Sequence, residues 1–319
     1  MDTQLAIVRA VNIGASLLVF GELAFIQLVS PGRVVPPRSA AVLGWSLAAI
    51  LASALAWLAL EALNMSGLPP REALAPDTLA TVATQTLFGK VWLARAACLA
   101  LLAALLMLTW PREGRGNSSW LPFIAAGVLL ALLSGMGHAA AGSGATVAAR
   151  LAVDGVHLLA AGAWLGALPP LILVIVAAGT RGDAPAIHAA RIVTNRFSAL
   201  GIASVGTLLL TGICASFFAL HDLAALYESD YGRLLLVKVA LFVAMLALAT
   251  VNRFELTPRL EAQPPRPALV ALASNAILEL VLGLAVVCVV AKLGITMPDN
   301  GHEHHHHHHE SAAASSRQV

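Results

Sequence analysis

Apolar stretches of about twenty residues, the length that carries a helix across a hydrocarbon core about 30 Å thick, recur from one end of this chain to the other. Nothing else in its 319 residues limits the possible folds so sharply. Only 11% of the residues are charged and 59% are hydrophobic, whereas a soluble domain carries roughly a quarter charged residues. The chain therefore reads as an integral membrane protein, an all-α polytopic bundle set in a lipid bilayer. No interval between the apolar stretches could hold a soluble domain.

Eight spans are expected, at 4–29, 40–63, 85–110, 120–141, 150–178, 197–220, 232–252 and 268–293. The first is too long for a signal-peptide core, contains Glu22 and lacks a small-x-small cleavage site, so it reads as a retained span. Lys and Arg are retained in the cytoplasm and set orientation. Connections after the odd-numbered spans carry Arg33, Arg38, Arg112, Arg115, Arg181, Arg191, Arg196, Arg253, Arg259 and Arg266. Those after the even-numbered spans carry Arg71 and Arg150, with Arg233 at a rim, and are richer in acid: Glu72, Asp77, Asp222, Glu228 and Asp230. Both termini are thus expected outside, which in a bacterium is the periplasm. Residues 1–297 form the expected transmembrane domain and 298–319 a disordered His-rich periplasmic tail. Its run of histidines is either a native metal-gathering segment or an affinity tag. The net charge of +2 and the lack of a long basic run give no reason to expect nucleic acid as a partner. Cys98, Cys214 and Cys288 all fall inside apolar runs, so they form no disulfide framework. They read as small hydrophobes, with a soft-metal role as the alternative.

The stretch richest in chemistry is DGVHLLAAGAWLGALPP, residues 154–170. Asp154 and His157 are three apart and share a helix face, with Trp164 two turns further on. Gly162 and Gly166 form a small-xxx-small pair that lets a neighbouring helix come close. An ionisable residue inside a span is costly and marks a functional candidate. The bland alternative is a histidine at headgroup level bonded to a backbone carbonyl. A second histidine, His138, lies near the outer end of the fourth span, whose short connection makes it an antiparallel neighbour of the fifth. Two imidazoles at similar depth could share a metal ion. Met136, Met65 and His221 gather on the same outer side, as do Asn64, Asp222, Met297 and His302. Imidazole, thioether and carboxylate together suit copper. Asp154 is either a ligand or the acceptor that fixes the His157 tautomer. His188, in a cytoplasmic loop, reads as solvated.

Charged residues also fall inside spans: Glu22, Lys90, Arg95, Lys238 and Glu279. Unpaired at a helix centre each costs about 2.5–3.5 kcal/mol, so they should pair within the bundle. Depth allows Arg95 or Lys238 with Glu279. Such pairs either fix packing or line a proton or ion path.

Several segments carry a family likeness: VHLLAAGAWLGAL at 156–168, RFSALGIASVGTLLLTG at 196–212 and YGRLLLVKVALF at 231–242. GHAAA around His138 and FGKVWLARA at 88–96 fit as well. With these, the chain resembles the copper resistance protein D (CopD/PcoD) family of bacterial inner-membrane proteins, and the expected eight-span layout agrees. The resemblance implies copper uptake from periplasm to cytoplasm, in the service of copper resistance. It also implies a small periplasmic copper-binding partner of the CopC type, here a separate chain. Carried onto this sequence, it points to His138 and His157 as candidate ligands, with Trp164, Arg95 and Lys238 as motif positions. No G-x-x-x-x-G-K-[ST] loop is present to drive transport with nucleotide, and no enzymatic activity is expected. Two alternatives remain open: a haem- or quinol-linked redox protein, since two histidines on adjacent spans can ligate one haem, and a copper receptor that does not transport.

Overall fold

A computed structural model describes residues 2–36, 38–110, 119–136, 145–219, 225–261 and 265–296. Among the described residues the secondary structure is helical, with no strand. In chain order the helices are α1 (Asp2–Ala24), α2 (Ser39–Ser66), α3 (Pro70–Ala73), α4 (Pro76–Gln85), α5 (Leu87–Thr109) and α6 (Leu121–Ala131). The second half adds α7 (Ala145–Leu165), α8 (Leu168–Arg181), α9 (Ala184–Ala219), α10 (Ala225–Glu228), α11 (Asp230–Val251) and α12 (Arg266–Leu293). π-turns extend α1 over Phe25–Val29 and α11 over Asn252–Leu256, and a 3₁₀ turn extends α6 over Leu132–Met136.

Among the described residues, seven helical segments are long and apolar enough to cross a membrane. The expected fourth span is the shorter apolar segment Leu121–Met136. Its remaining expected residues, 137–141, fall outside the described ones, and so does the tail. The spans expected at 4–29, 40–63, 85–110 and 268–293 agree with the structure to within a few residues. The sixth departs most, because α9 begins well before its apolar run. Asp183 accepts the backbone N–H of Ala186 through Oδ1 at 2.7 Å, a side-chain cap that starts the helix in polar sequence. The interval after α2, read as a loop, contains the short helix α4, whose Val82 and Ala83 are buried beside Leu58 and Ala62.

The N-terminal helix is the most enclosed: 78% of its span window is buried, against 56% or less in every other candidate. It touches α2, α6, α7 and α12. Its polar side chains explain this position, since each would be left without a partner against lipid. Asn12 donates to the Ile50 carbonyl at 3.2 Å and to Ser53 Oγ at 2.9 Å on α2. Arg95 of α5 donates to Asn12 Oδ1 at 2.8 Å, to Ser16 Oγ at 3.3 Å and to the Leu129 carbonyl of α6. Gln27 donates to the Ser119 carbonyl at 2.8 Å, and the Glu22 carboxyl accepts from Ser39 Oγ. Arg9 lies over the Trp57 ring, 4.9 Å from its centroid. Phe20 and Phe123 stack with centroids 5.2 Å apart.

The other face of α1 meets α7 backbone to backbone. A side chain at Gly21 would fall on the Gly166 and Ala167 main chain, and one at Gly166 would fall on the Leu17 carbonyl. Gly162, one turn earlier, lies under Leu130 and Phe20. The small-xxx-small pair thus brings a neighbouring helix close, and that neighbour is α1. The chain breaks at the same point into α7 and α8. Pro169 and Pro170 lack N–H groups, so the carbonyls of Leu165 and Gly166 lose their usual helical donors. Outward-facing residues are apolar, among them Trp45, Met107, Leu108 and Phe217, as a lipid-facing surface requires.

Two predictions come from this packing. Gly166→Val or Gly21→Val should destabilise the bundle by about 1–3 kcal/mol or more through overpacking, while Gly44→Ala, with open space at its Cβ, should be neutral or stabilising by about 0.5–1 kcal/mol; thermal unfolding in detergent compares them. Arg95→Leu and Asn12→Leu should each cost about 1–3 kcal/mol by leaving buried partners unmet, and the double variant less than the sum of the two.

Candidate functional site

Three helices of the second half converge around His157. Its Nδ1 lies 2.8 Å from Thr211 Oγ1 on α9. The threonine hydroxyl has one proton, and it is directed back to the Thr207 carbonyl at 2.7 Å, the usual in-helix bond of a threonine. With the hydroxyl proton on that carbonyl, Thr211 accepts from the imidazole and the proton of the neutral His157 is assigned to Nδ1. Nε2 is left with an open lone pair, the form in which a neutral imidazole binds a metal.

Asp154, one turn earlier on α7, interacts electrostatically with Lys238 and Arg150, and with Tyr231. Lys238 also lies within electrostatic reach of His157. Asp154, His157 and Lys238 are all half-buried. Ser229 starts α11 by accepting the Gly232 N–H at 3.0 Å. From that start Tyr231 and Lys238, seven apart, share one face. Seven residues beyond His157, Trp164 is 2% exposed and meets Phe242 edge to face, with centroids 6.0 Å apart at 87°.

The expected pairing of Arg95 or Lys238 with Glu279 is not what the structure contains. Arg95 sits on α5 against α1 and α6, where amide, hydroxyl and carbonyl oxygens satisfy it. Lys238 faces Asp154. Glu279 accepts from Asn252 Nδ2 at 2.5 Å and is approached by the Trp164 indole. For Arg95 and Glu279, neutral polar groups close at hand stand where charge and depth alone suggested long-range ion pairs. Glu22, with Ser39, follows the same pattern.

Of the other residues singled out in the sequence, Asp154 and His157 come together on one face. Of the two roles left open for Asp154, ligand or acceptor to the imidazole, the Nδ1 contact is made by Thr211, and Lys238 stands beside the carboxylate. Met136 is buried and lines a cavity of about 60 Å³ with Asn12, Trp92 and Arg95. Met65 is exposed at the end of α2. His138, His221, Asp222, Met297 and His302 lie outside the described residues. Among the described residues no three His, Cys, Asp or Glu side chains gather as a metal site would need. Thr211, Tyr231, Asn12 and Asn252 escaped notice, because a small polar residue in an apolar run carries no signal until its partner is known.

Two family models match the chain. Copper resistance protein D covers residues 191–293, and Copper resistance protein D-like, N-terminal domain, covers residues 1–149. Asp154, His157 and Trp164 fall between the two matches. The chain is 30% identical over 224 residues to Copper resistance protein D of Pseudomonas syringae pv. tomato, covering 68% of this chain and 70% of that one. It is 28% identical to Inner membrane protein YebZ of Escherichia coli (strain K12), over 82% of this chain and 87% of the relative. To Copper transport protein CutJ of Bacillus subtilis (strain 168) it is 29% identical over 67% of this chain. There the chain spans 39% of the relative's length. No solved structure matches. With seven apolar helices of spanning length among the described residues and matches across both halves, this multi-pass membrane protein belongs to the copper resistance protein D family.

Proposed function

We propose that the protein carries copper ions across the bacterial inner membrane, from periplasm to cytoplasm, and so contributes to copper resistance. The observation that carries this reading is the His157 imidazole, held through Nδ1 by Thr211 with Nε2 open inside the bundle. A metal-binding histidine is commonly oriented this way, through a bond from its second nitrogen. The names of the relatives from Bacillus and Pseudomonas, a copper transport protein and a copper resistance protein, point to the same cargo. The name of the relative from Escherichia coli points to the inner membrane.

In this reading the arginine-rich ends of the helices are cytoplasmic and both termini are periplasmic. Copper arrives at the opposite face, delivered by a CopC-type protein or gathered by the His-rich tail. His138 joins His157 as a ligand, with Asp154, Met136, Met65 and His221 as the further donors of the outer side. Beneath His157 the Trp164–Phe242 contact closes the interface between α7 and α11, and an ion moving inward must pass it. No catalytic step is required.

Flux of copper into proteoliposomes tests the proposal. His157→Ala, alone or with His138→Ala, should abolish uptake and high-affinity binding while leaving thermal unfolding nearly unchanged. Thr211→Val, which removes the oxygen that orients the ring, should weaken copper binding about 10–100-fold without abolishing it. Copper bound but never transported would leave a receptor. Uptake unchanged in the double variant would reject the site.

A further inference from the structure

A cavity of about 360 Å³ lies below Trp164, between α8, α9, α11 and α12. Its walls are mostly aliphatic, and its polar groups are few: Glu279, Asn252, Thr194, Ser198 and Arg253 among them. Glu279 stands half-way along α12 and is 2% exposed. An ionised carboxylate so placed calls for a cation, and none is bonded to it among the described residues. Arg253 donates instead to Ser198 Oγ at 2.6 Å and lies over Phe254 with 5.6 Å to the ring centroid.

The partner Glu279 does have suits two protonation states. Asn252 opens the π-turn that follows α11, and such turns recur at functional positions. The Asn252 amide nitrogen lies 2.5 Å from a Glu279 carboxylate oxygen. An amide offers N–H₂ to a carboxylate and C=O to a carboxylic acid. With the N–H₂ turned towards Glu279, the Asn252 Oδ1 is a buried acceptor without a partner. A half-turn of the amide would present that oxygen to a protonated Glu279. The cavity beside the pair has room for the water that would bring or remove the proton.

The charged surroundings are sparse. From α7 comes Trp164, from α8 only Leu168 and Leu171, from α9 Thr194 and Ser198, and from the end of α11 Asn252, Arg253 and Thr257. The first helix, which also packs on α12, keeps Arg9 against Gly294 and over Trp57 and Glu22 with Ser39. Asp154, His157 and Lys238 lie on the other side of Trp164.

We propose that Glu279 is a proton-loading site: its carboxylate takes one proton from water in the cavity and later returns it, with Asn252 reversing its amide, as copper crosses the bundle. No electron moves. The coupling to copper rests on the transport reading above, whereas the protonation itself does not.

Infrared difference spectra of the reconstituted protein between acid and alkaline pH test the site directly. The expected result is a carboxylic-acid C=O band that titrates, is lost in Glu279→Gln and shifts in Asn252→Ala. A pH dye trapped in proteoliposomes then reads the coupling: copper addition should move protons in the unmodified protein, and Glu279→Gln should bind copper yet lose the proton signal. The absence of a titrating band, or a band unchanged in Glu279→Gln, would overturn the proposal. So would copper flux with proton movement intact in that variant. If no copper crosses at all, the transport reading fails, and the infrared band still decides the assignment of Glu279.

Discussion

A polar side chain inside a bilayer has no water to turn to, and the architecture of this protein follows from where its polar side chains find partners. The first helix carries more of them than any lipid-facing helix could. Arg9, Asn12, Ser16, Glu22 and Gln27 are all buried, and their partners lie on α2, α5 and α6 or at the ends of those helices. Without those bonds α1 would have no reason to occupy the centre. On its other side it carries Gly21, and the close approach to Gly166 joins the two halves of the chain at the point where α7 gives way to α8.

That junction also positions the site. The break after Leu165 lets α7 run through one half of the bundle with His157 turned to α9, while α8 continues beside α12. Asp154, His157 and Trp164 are thereby strung along one face of a single helix. Thr211 supplies the hydrogen bond that sets the imidazole, Lys238 supplies the charge opposite Asp154, and Phe242 closes against the indole. Below Trp164 the Glu279–Asn252 pair faces a cavity of its own. The polar groups on the two sides of Trp164 are therefore divided by one aromatic contact.

Much of this was legible in the sequence because it depends on local pattern. Apolar runs located most of the spans, and the spacing of Gly162 and Gly166 foretold a close helix contact. The i, i+3 relation put Asp154 and His157 on one face. What could not be read depends on partners far apart in the chain. Charge and depth paired Arg95 or Lys238 with Glu279, but nothing in the sequence says that Asn12 and Ser16 lie across from Arg95, or that Asn252 reaches Glu279. The true start of α9 was hidden for a different reason: its first turns are polar, and its cap, Asp183, looks like any loop aspartate. Thr211 and Tyr231 were both inside segments that carried the family likeness, yet neither residue type announces a role by itself.

The account turns on copper bound through the Nε2 of His157. X-ray absorption at the copper edge of the metal-loaded protein tests it most directly. The account predicts imidazole scattering in the unmodified protein that is diminished in His157→Ala and partly disordered in Thr211→Val. A spectrum free of imidazole scattering, or one identical in His157→Ala, would contradict it.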